Sequence, residues 1–259
     1  MTVLTPVGLV VPSSNTTIET EVPQMLSRRA AATGEAFTFH SSRAVLHTVD
    51  RESLDRMVGQ VDRCASELAD ARVGAIVYAC LVAVMARGPG EHEKVERQLG
   101  EAARRAGGGG YDPVISSSAG ALVRSLEAHG LRKVAILTPY VEALTEQVVA
   151  YLTAAGITIT EAMSLGVPDN VEVAQLDPLR LPDLAAQMDL SCADALIIPA
   201  CVQMPSLAAI PIAERKLGLP ALSAATATVH DLLVRLGLSP EVPDAGALLS
   251  GSEVLTASA

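Results

Sequence analysis

The stretch Ala75-Ile76-Val77-Tyr78-Ala79-Cys80-Leu81-Val82-Ala83 is a short apolar run that meets a cysteine and then loosens into small residues. A run of this length bounded by such residues reads as a buried parallel strand. It has a counterpart in Ala195-Leu196-Ile197-Ile198-Pro199-Ala200-Cys201-Val202-Gln203-Met204-Pro205-Ser206, which again leads a strand into Ala-Cys. Two thiols therefore stand at equivalent strand ends.

Other segments pair in the same order. Val7-Gly8-Leu9-Val10-Val11-Pro12 matches Val134-Ala135-Ile136-Leu137-Thr138-Pro139, each an apolar strand closed by proline. Pro113-Val114-Ile115-Ser116-Ser117-Ser118, followed by a helical pattern, matches Pro220-Ala221-Leu222-Ser223-Ala224-Ala225. Such self-similarity decides the fold. It predicts an α/β protein of two pseudo-symmetric halves, each a mostly parallel sheet flanked by helices. The expected division is 1–117, 118–223, and a helical segment 224–259 returning to the N-terminal half.

Composition fits that reading. The chain has 259 residues, 49% hydrophobic but only 2% aromatic and without Trp, so Ala, Val, Leu and Ile must build the core. This length suffices for two modest cores. A net charge of −10 and the lack of a Lys/Arg-rich run argue against nucleic acid, whose binding needs clustered positive charge. A small anion is still compatible, because backbone N–H groups at helix starts supply local positive potential.

Met1-Thr2-Val3-Leu4-Thr5-Pro6 has no basic region ahead of an apolar core, and no run reaches the roughly 18 residues of a membrane span. The expectation is a cytoplasmic protein with reduced cysteines and no membrane contact. Cys64, Cys80, Cys192 and Cys201 form no CxxC pair, and the five histidines stand at no zinc-finger distance from them, so no metal is expected. No glycine-rich phosphate loop follows a strand, so no cofactor is expected either. Cys64, on an amphipathic helix read over 51–71, and Cys192 read as packed thiols.

The strand 7–11 runs into Pro12-Ser13-Ser14-Asn15-Thr16-Thr17 and then a helix from Ile18. Strand, polar loop and helix N-terminus is the arrangement in which open α/β sheets bind ligands. Ser13 and its neighbouring hydroxyls serve either as helix caps or as ligand contacts. Asn15 is one of only two asparagines in the chain. Arg43, after the second strand, could clamp a carboxylate or simply face solvent. Tyr140 follows the strand-ending proline of the second half, where Ser13 sits in the first. Asn170, the other asparagine, precedes a helix as an N-cap or a carboxylate donor. Small residues and prolines at 81–90 and 199–205 point to mobile covers beside the thiols.

With twin halves, the loop Val11-Pro12-Ser13-Ser14-Asn15-Thr16, the motif Tyr78-Ala79-Cys80-Leu81-Val82-Ala83 and a second cysteine at 201, the chain resembles the aspartate/glutamate racemase superfamily. Within it the resemblance is to the maleate cis-trans isomerases, and it covers nearly the whole chain. It implies active-site positions at Asn15, Cys80, Tyr140, Asn170 and Cys201. Amino-acid racemases usually show Cys-Asn-Thr and Gly-Cys-Thr at the two cysteines. Cys80-Leu81-Val82 and Ala200-Cys201-Val202 depart from both, which disfavours an amino-acid substrate.

The chemistry is consistent with that family. A cis alkene between two carboxylates rotates only once its double bond is made single. A thiolate can add, allow rotation and leave. By analogy with the family, Cys80 is the nucleophile and Cys201 the general acid and base. Asn15, Tyr140 and Asn170, with Ser13 and the backbone at Leu81, Val82 and Val202, would hold the carboxylates of maleate without adding a titrating base. The alternatives are a two-cysteine racemase, an arylmalonate-type decarboxylase needing only the second thiol, and a dicarboxylate-binding protein whose thiols merely pack. Exposed apolar content suggests a homodimer.

Overall fold

The computed structural model describes residues 4–252 and 255, and residues 1–3, 253, 254 and 256–259 lie outside it, including the first three of the N-terminal stretch read above. The first half runs β1 (Leu4–Pro12), α1 (Ile18–Thr33), β2 (Ala36–Ala44), α2 (Arg51–Val58), α3 (Val61–Asp70) and β3 (Ala75–Tyr78). It continues through α4 (Leu81–Met85), α5 (Glu91–Gly107) and β4 (Val114–Ser117), and α6 (Ser118–Ala128) then leads into the second half. The second half repeats the order as β5 (Lys133–Thr138), α7 (Glu142–Ala154), β6 (Thr158–Ser164), α8 (Asn170–Ala174) and α9 (Leu181–Ala185). β7 (Ala195–Ile197), α10 (Ile210–Leu217), β8 (Ala221–Leu222) and α11 (Ala224–Arg235) complete it.

Each half forms a four-stranded parallel sheet, in the orders β2-β1-β3-β4 and β6-β5-β7-β8. Parallel strands covered on both faces must be apolar throughout, and β3 is buried at all four positions. The helices supply one apolar stripe each. Val95, Leu99, Ala102 and Ala103 of α5 recur at helical spacing and are buried, while the opposite face is charged. A continuous apolar core runs through both halves. The last helix, α11, packs on α6 and also against α1 and β4 of the first half.

One helix was read across 51–71, but two are found. Asp50 caps α2 by accepting from Ser53 N at 2.8 Å, and the helix stops at Gly59. Gln60 there turns its side chain to the segment after β2, accepting from Val45 N at 3.0 Å. The break falls at Gly59, the residue of lowest helix propensity in the stretch.

The strand orders fix where a ligand can sit. In each sheet the chain leaves the first strand for one edge and then crosses back to the other side. A crevice therefore opens between the carboxyl ends of β1 and β3, and between those of β5 and β7. Asn15 and Cys80 follow the first pair of strands, Tyr140 and Cys201 the second.

Candidate active site

Asn15 owes its position to the start of α1. Thr17, the formal cap, makes no side-chain bond, and Asn15 Oδ1 instead accepts from Thr17 N and Ile18 N, both at 3.0 Å. The amide is fully buried, and Nδ2 donates to Val202 O at 3.3 Å across to the second half. An amide nitrogen carries a second hydrogen, which suits a carboxylate. Arg43 braces this loop from outside. It donates to Asn15 O at 2.5 Å and Ser13 O at 3.0 Å, pairs with Glu19, and is exposed, so it is not a carboxylate clamp in the cavity.

Ser13 also lies off the cavity. Its hydroxyl accepts from Leu46 N at 3.0 Å and donates to Leu46 O at 3.3 Å. Asn170 is not the cap of α8. Asp169 is, accepting from Val171 N at 2.7 Å and Glu172 N at 3.1 Å. Asn170, the first residue of the helix, is thereby free to cross to the first half, where its amide donates to Ser14 Oγ at 2.7 Å.

Cys80 occupies the N-cap position of α4 without a side-chain capping bond, and the nearby Ala83 N–H favours its thiolate slightly. Burial nevertheless pushes its thiol up to about 12. Cys201 is also pushed up by burial, but three donors oppose the shift: the Tyr140 hydroxyl and the backbone N–H groups of Gln203 and Met204. Gln203 N lies 3.3 Å from the sulfur. Tyr140 itself is buried and held far above its ordinary range, burial first and the neighbouring thiols second. Of the two thiols, Cys201 is better equipped to carry negative charge.

Cys80, Cys201, Asn15, Tyr140 and Asn170 line one cavity with Leu81, Val82 and Val202. Leu46 and Val49 close it from the segment after β2, and an isolated bridge joins Thr48 to Asp169 of the second half. Leu81–Met85, part of the stretch read as a cover, forms a helix with all five side chains buried, and Leu81 and Val82 line the cavity. The cavity is about 10 Å³, roughly one water's worth. Two wider surface grooves, about 640 and 690 Å³, hold neither thiol nor either asparagine.

The sequence reading missed Gln203 and Glu21. Glu21 of α1 is buried and accepts from Ser206 N at 2.6 Å, Leu207 N at 2.7 Å and Ser206 Oγ at 3.0 Å, tying α1 to the loop after Cys201. An amide two residues past a strand-end cysteine, and a glutamate on the apolar face of a helix, were the available signals. Cys192 is a further correction: it is exposed on a turn, whereas Cys64 is packed. Among the described residues no group of three or more His, Cys, Asp or Glu could hold a metal ion, and no helix is long and apolar enough to cross a membrane.

Residues 7–249 match the family described as arylmalonate decarboxylase. The chain is 52% identical to the maleate isomerase of Geobacillus stearothermophilus over 246 residues, 95% of this chain and 97% of that one. Among solved structures, a variant of the Pseudomonas putida S16 maleate isomerase with maleate superposes with a TM-score of 0.94 at 44% identity, covering 96% of this chain and 99% of that one. The Nocardia farcinica maleate cis-trans isomerase, in a cysteine-to-serine variant with a covalently bound succinylcysteine intermediate, gives 0.91 at 48% identity over 96% and 100%. Arylmalonate decarboxylase structures, at 21–23% identity, share the fold. Two thiols at facing switch points, on a chain this similar along its whole length, lead to one conclusion: the protein belongs to the maleate isomerases, within the family described as arylmalonate decarboxylase.

Proposed function

We propose that this protein converts maleate to fumarate without a cofactor, by reversible addition of a cysteine to the alkene. The observation that carries the reading is the pair of buried thiols, Cys80 and Cys201, lining one narrow cavity with neutral donors on both sides. A relative trapped as a succinylcysteine supports the covalent route.

The reactive form is the pair sharing one proton. Cys201 accepts the Cys80 proton, supported by Tyr140 and two backbone N–H groups. The Cys80 thiolate then forms a carbon–sulfur bond at one alkene carbon, and the Cys201 thiol gives its proton to the other. The result is a succinyl group on Cys80 with a single bond free to rotate. After rotation Cys201 removes the proton, the carbon–sulfur bond breaks and fumarate leaves. Atoms and charge return to their starting state.

Asn15, Asn170 and the backbone at Leu81, Val82 and Val202 hold the two carboxylates. Ser13 acts one layer out, through Leu46. Neutral donors suit this task, since a fixed cation would favour the bound dianion and its product alike. The small cavity requires the Leu46–Val49 cover and the Asn170 loop to part before a four-carbon dicarboxylate is admitted, and closure then keeps water from the intermediate. A decarboxylase needs only the second thiol, so two thiols in one cavity favour the isomerase. We further take the chain as a cytoplasmic homodimer, divided at 1–117 and 118–223 with 224–259 returning to the first half. Contacts of α11 with α1 and β4 support that last point. Proton NMR tests the activity: the olefinic singlet of maleate should give way to that of fumarate, and a persistent maleate signal would overturn the assignment.

A further inference from the structure

The side chain of Gln203 is buried, and its polar atoms are committed to the backbone of two other loops. Oε1 accepts from Thr16 N at 3.1 Å, while Nε2 donates to Ser14 O at 3.0 Å and to Asn170 O at 2.7 Å. Its own N–H donates to the Cys201 sulfur. One residue thus meets the loop that carries Asn15, the helix start that carries Asn170, and the thiol at the end of β7.

We propose that Gln203 is a positioning residue that fixes the two asparagine amides relative to Cys201 and holds the cavity shut. The proposal rests on the isomerase reading of the site. The task needs one acceptor and two donors in a plane, which a primary amide has and no other uncharged side chain of that length supplies. Glutamate in its place would present an acceptor to the carbonyls of Ser14 and Asn170. Only its protonated form would restore a donor. The titratable and charged groups around such a carboxylate are Cys201 on its own loop, Cys80 at the start of α4, Tyr140 from the loop after β5, Glu21 from α1 and Arg43 from β2. The two thiols and Glu21 disfavour its ionised form, and the outlying Arg43 is already paired with Glu19.

The test compares wild type, Gln203→Glu and Gln203→Met by iodoacetamide alkylation resolved thiol by thiol with mass spectrometry, from pH 5 to 8. Cys64, on the buried face of α3, serves as the internal reporter of general loosening. We expect Cys201 to react at least about tenfold faster than wild type in Gln203→Met at every pH, as loss of buried hydrogen bonds entails. In Gln203→Glu the excess should be that large at pH 8 and shrink towards wild type at pH 5, with Cys64 unchanged in both variants. Maleate turnover in Gln203→Met should show both a raised KM and a lowered kcat. Equal acceleration of Cys64 and Cys201, or no acceleration of Cys201, overturns the proposal. If Gln203→Glu does not fold at pH 8, the Cys201-to-Cys64 contrast in Gln203→Met decides alone. Wild type that fails to isomerise maleate would instead overturn the activity and leave the alkylation result standing.

Discussion

The Tyr140 hydroxyl, presented just past β5, bonds the Cys201 thiol at the end of the neighbouring strand β7. Cys80 has no such side-chain partner, and in the proposed mechanism that difference makes Cys201 the first to hold the negative charge. Hydrogen bonds to a charged group contribute about 1.5–3 kcal/mol. Tyr140→Phe should therefore lower kcat/KM by about 10- to 100-fold and raise the pH at which Cys201 ionises. Steady-state kinetics with pH-dependent alkylation of Cys201 checks both, and an unchanged alkylation profile would remove Tyr140 from this role.

The pH dependence of the wild type follows from the two thiols. Burial places both above the ordinary thiol range, so the singly ionised pair is a minority species near neutrality. Raising the pH populates it. We expect kcat/KM to climb towards about tenfold per unit between pH 7 and 8, with an alkaline decline only as Cys80 near 12 also ionises. A rate flat from pH 6 upward would mean a thiolate already formed at rest.

Arg124 is the electrostatic joint between α5, α6 and α11. It donates to both carboxylate oxygens of buried Asp231 at 2.8 Å and to Glu96 at 3.0 Å and 3.2 Å, while Ser116 Oγ donates to Asp231 at 2.6 Å. Deleting one member of a buried pair costs about 3–5 kcal/mol, but Arg235, 3.1 Å from Asp231 and 3.7 Å from Glu96, still compensates both carboxylates. This and the partial exposure of Arg124 put Arg124→Met at the lower end. Urea unfolding should show the midpoint falling without loss of both thiols from the cavity, and a shift under about 0.5 kcal/mol would contradict the joint.

His230 should govern acid sensitivity. Burial first, and then His129, set edge-on to it with ring centroids 5.0 Å apart, push its imidazole down to about 4 from 6.5. The unfolded chain therefore binds more protons between those values, so stability rises with pH there and is lost as pH falls from 6.5 towards 4. The loss amounts to about 3 kcal/mol at most. His230→Gln should flatten that part of the stability curve, measured by denaturant midpoints, and an identical slope would refute the assignment.

The strand ends that meet at the cavity were legible because parallel strands are apolar and their termini are not. Asn15, Cys80, Tyr140, Asn170 and Cys201 all reach one cavity for that reason. What a side chain does once there was less legible. Asn170 gave up the cap to Asp169, since two neighbouring polar residues compete for one helix start and sequence does not rank them. Gln203, Glu21 and the Arg43 brace act across more than twenty positions of chain, a relationship that local pattern does not encode. The break at Gly59 falls on a residue of low helix propensity, and Gln60 beside it turns to Val45.

The central claim is that Cys80 carries the carbon–sulfur bond and Cys201 moves the proton. Its most direct test is peptide mass spectrometry of Cys201→Ser quenched after incubation with maleate. Removal of the proton from the adduct should be slow without the second thiol, so the peptide bearing Cys80 should gain the mass of one maleic acid, while fumarate formation is nearly abolished. An adduct found on any other cysteine, or full turnover with none on Cys80, would contradict the account.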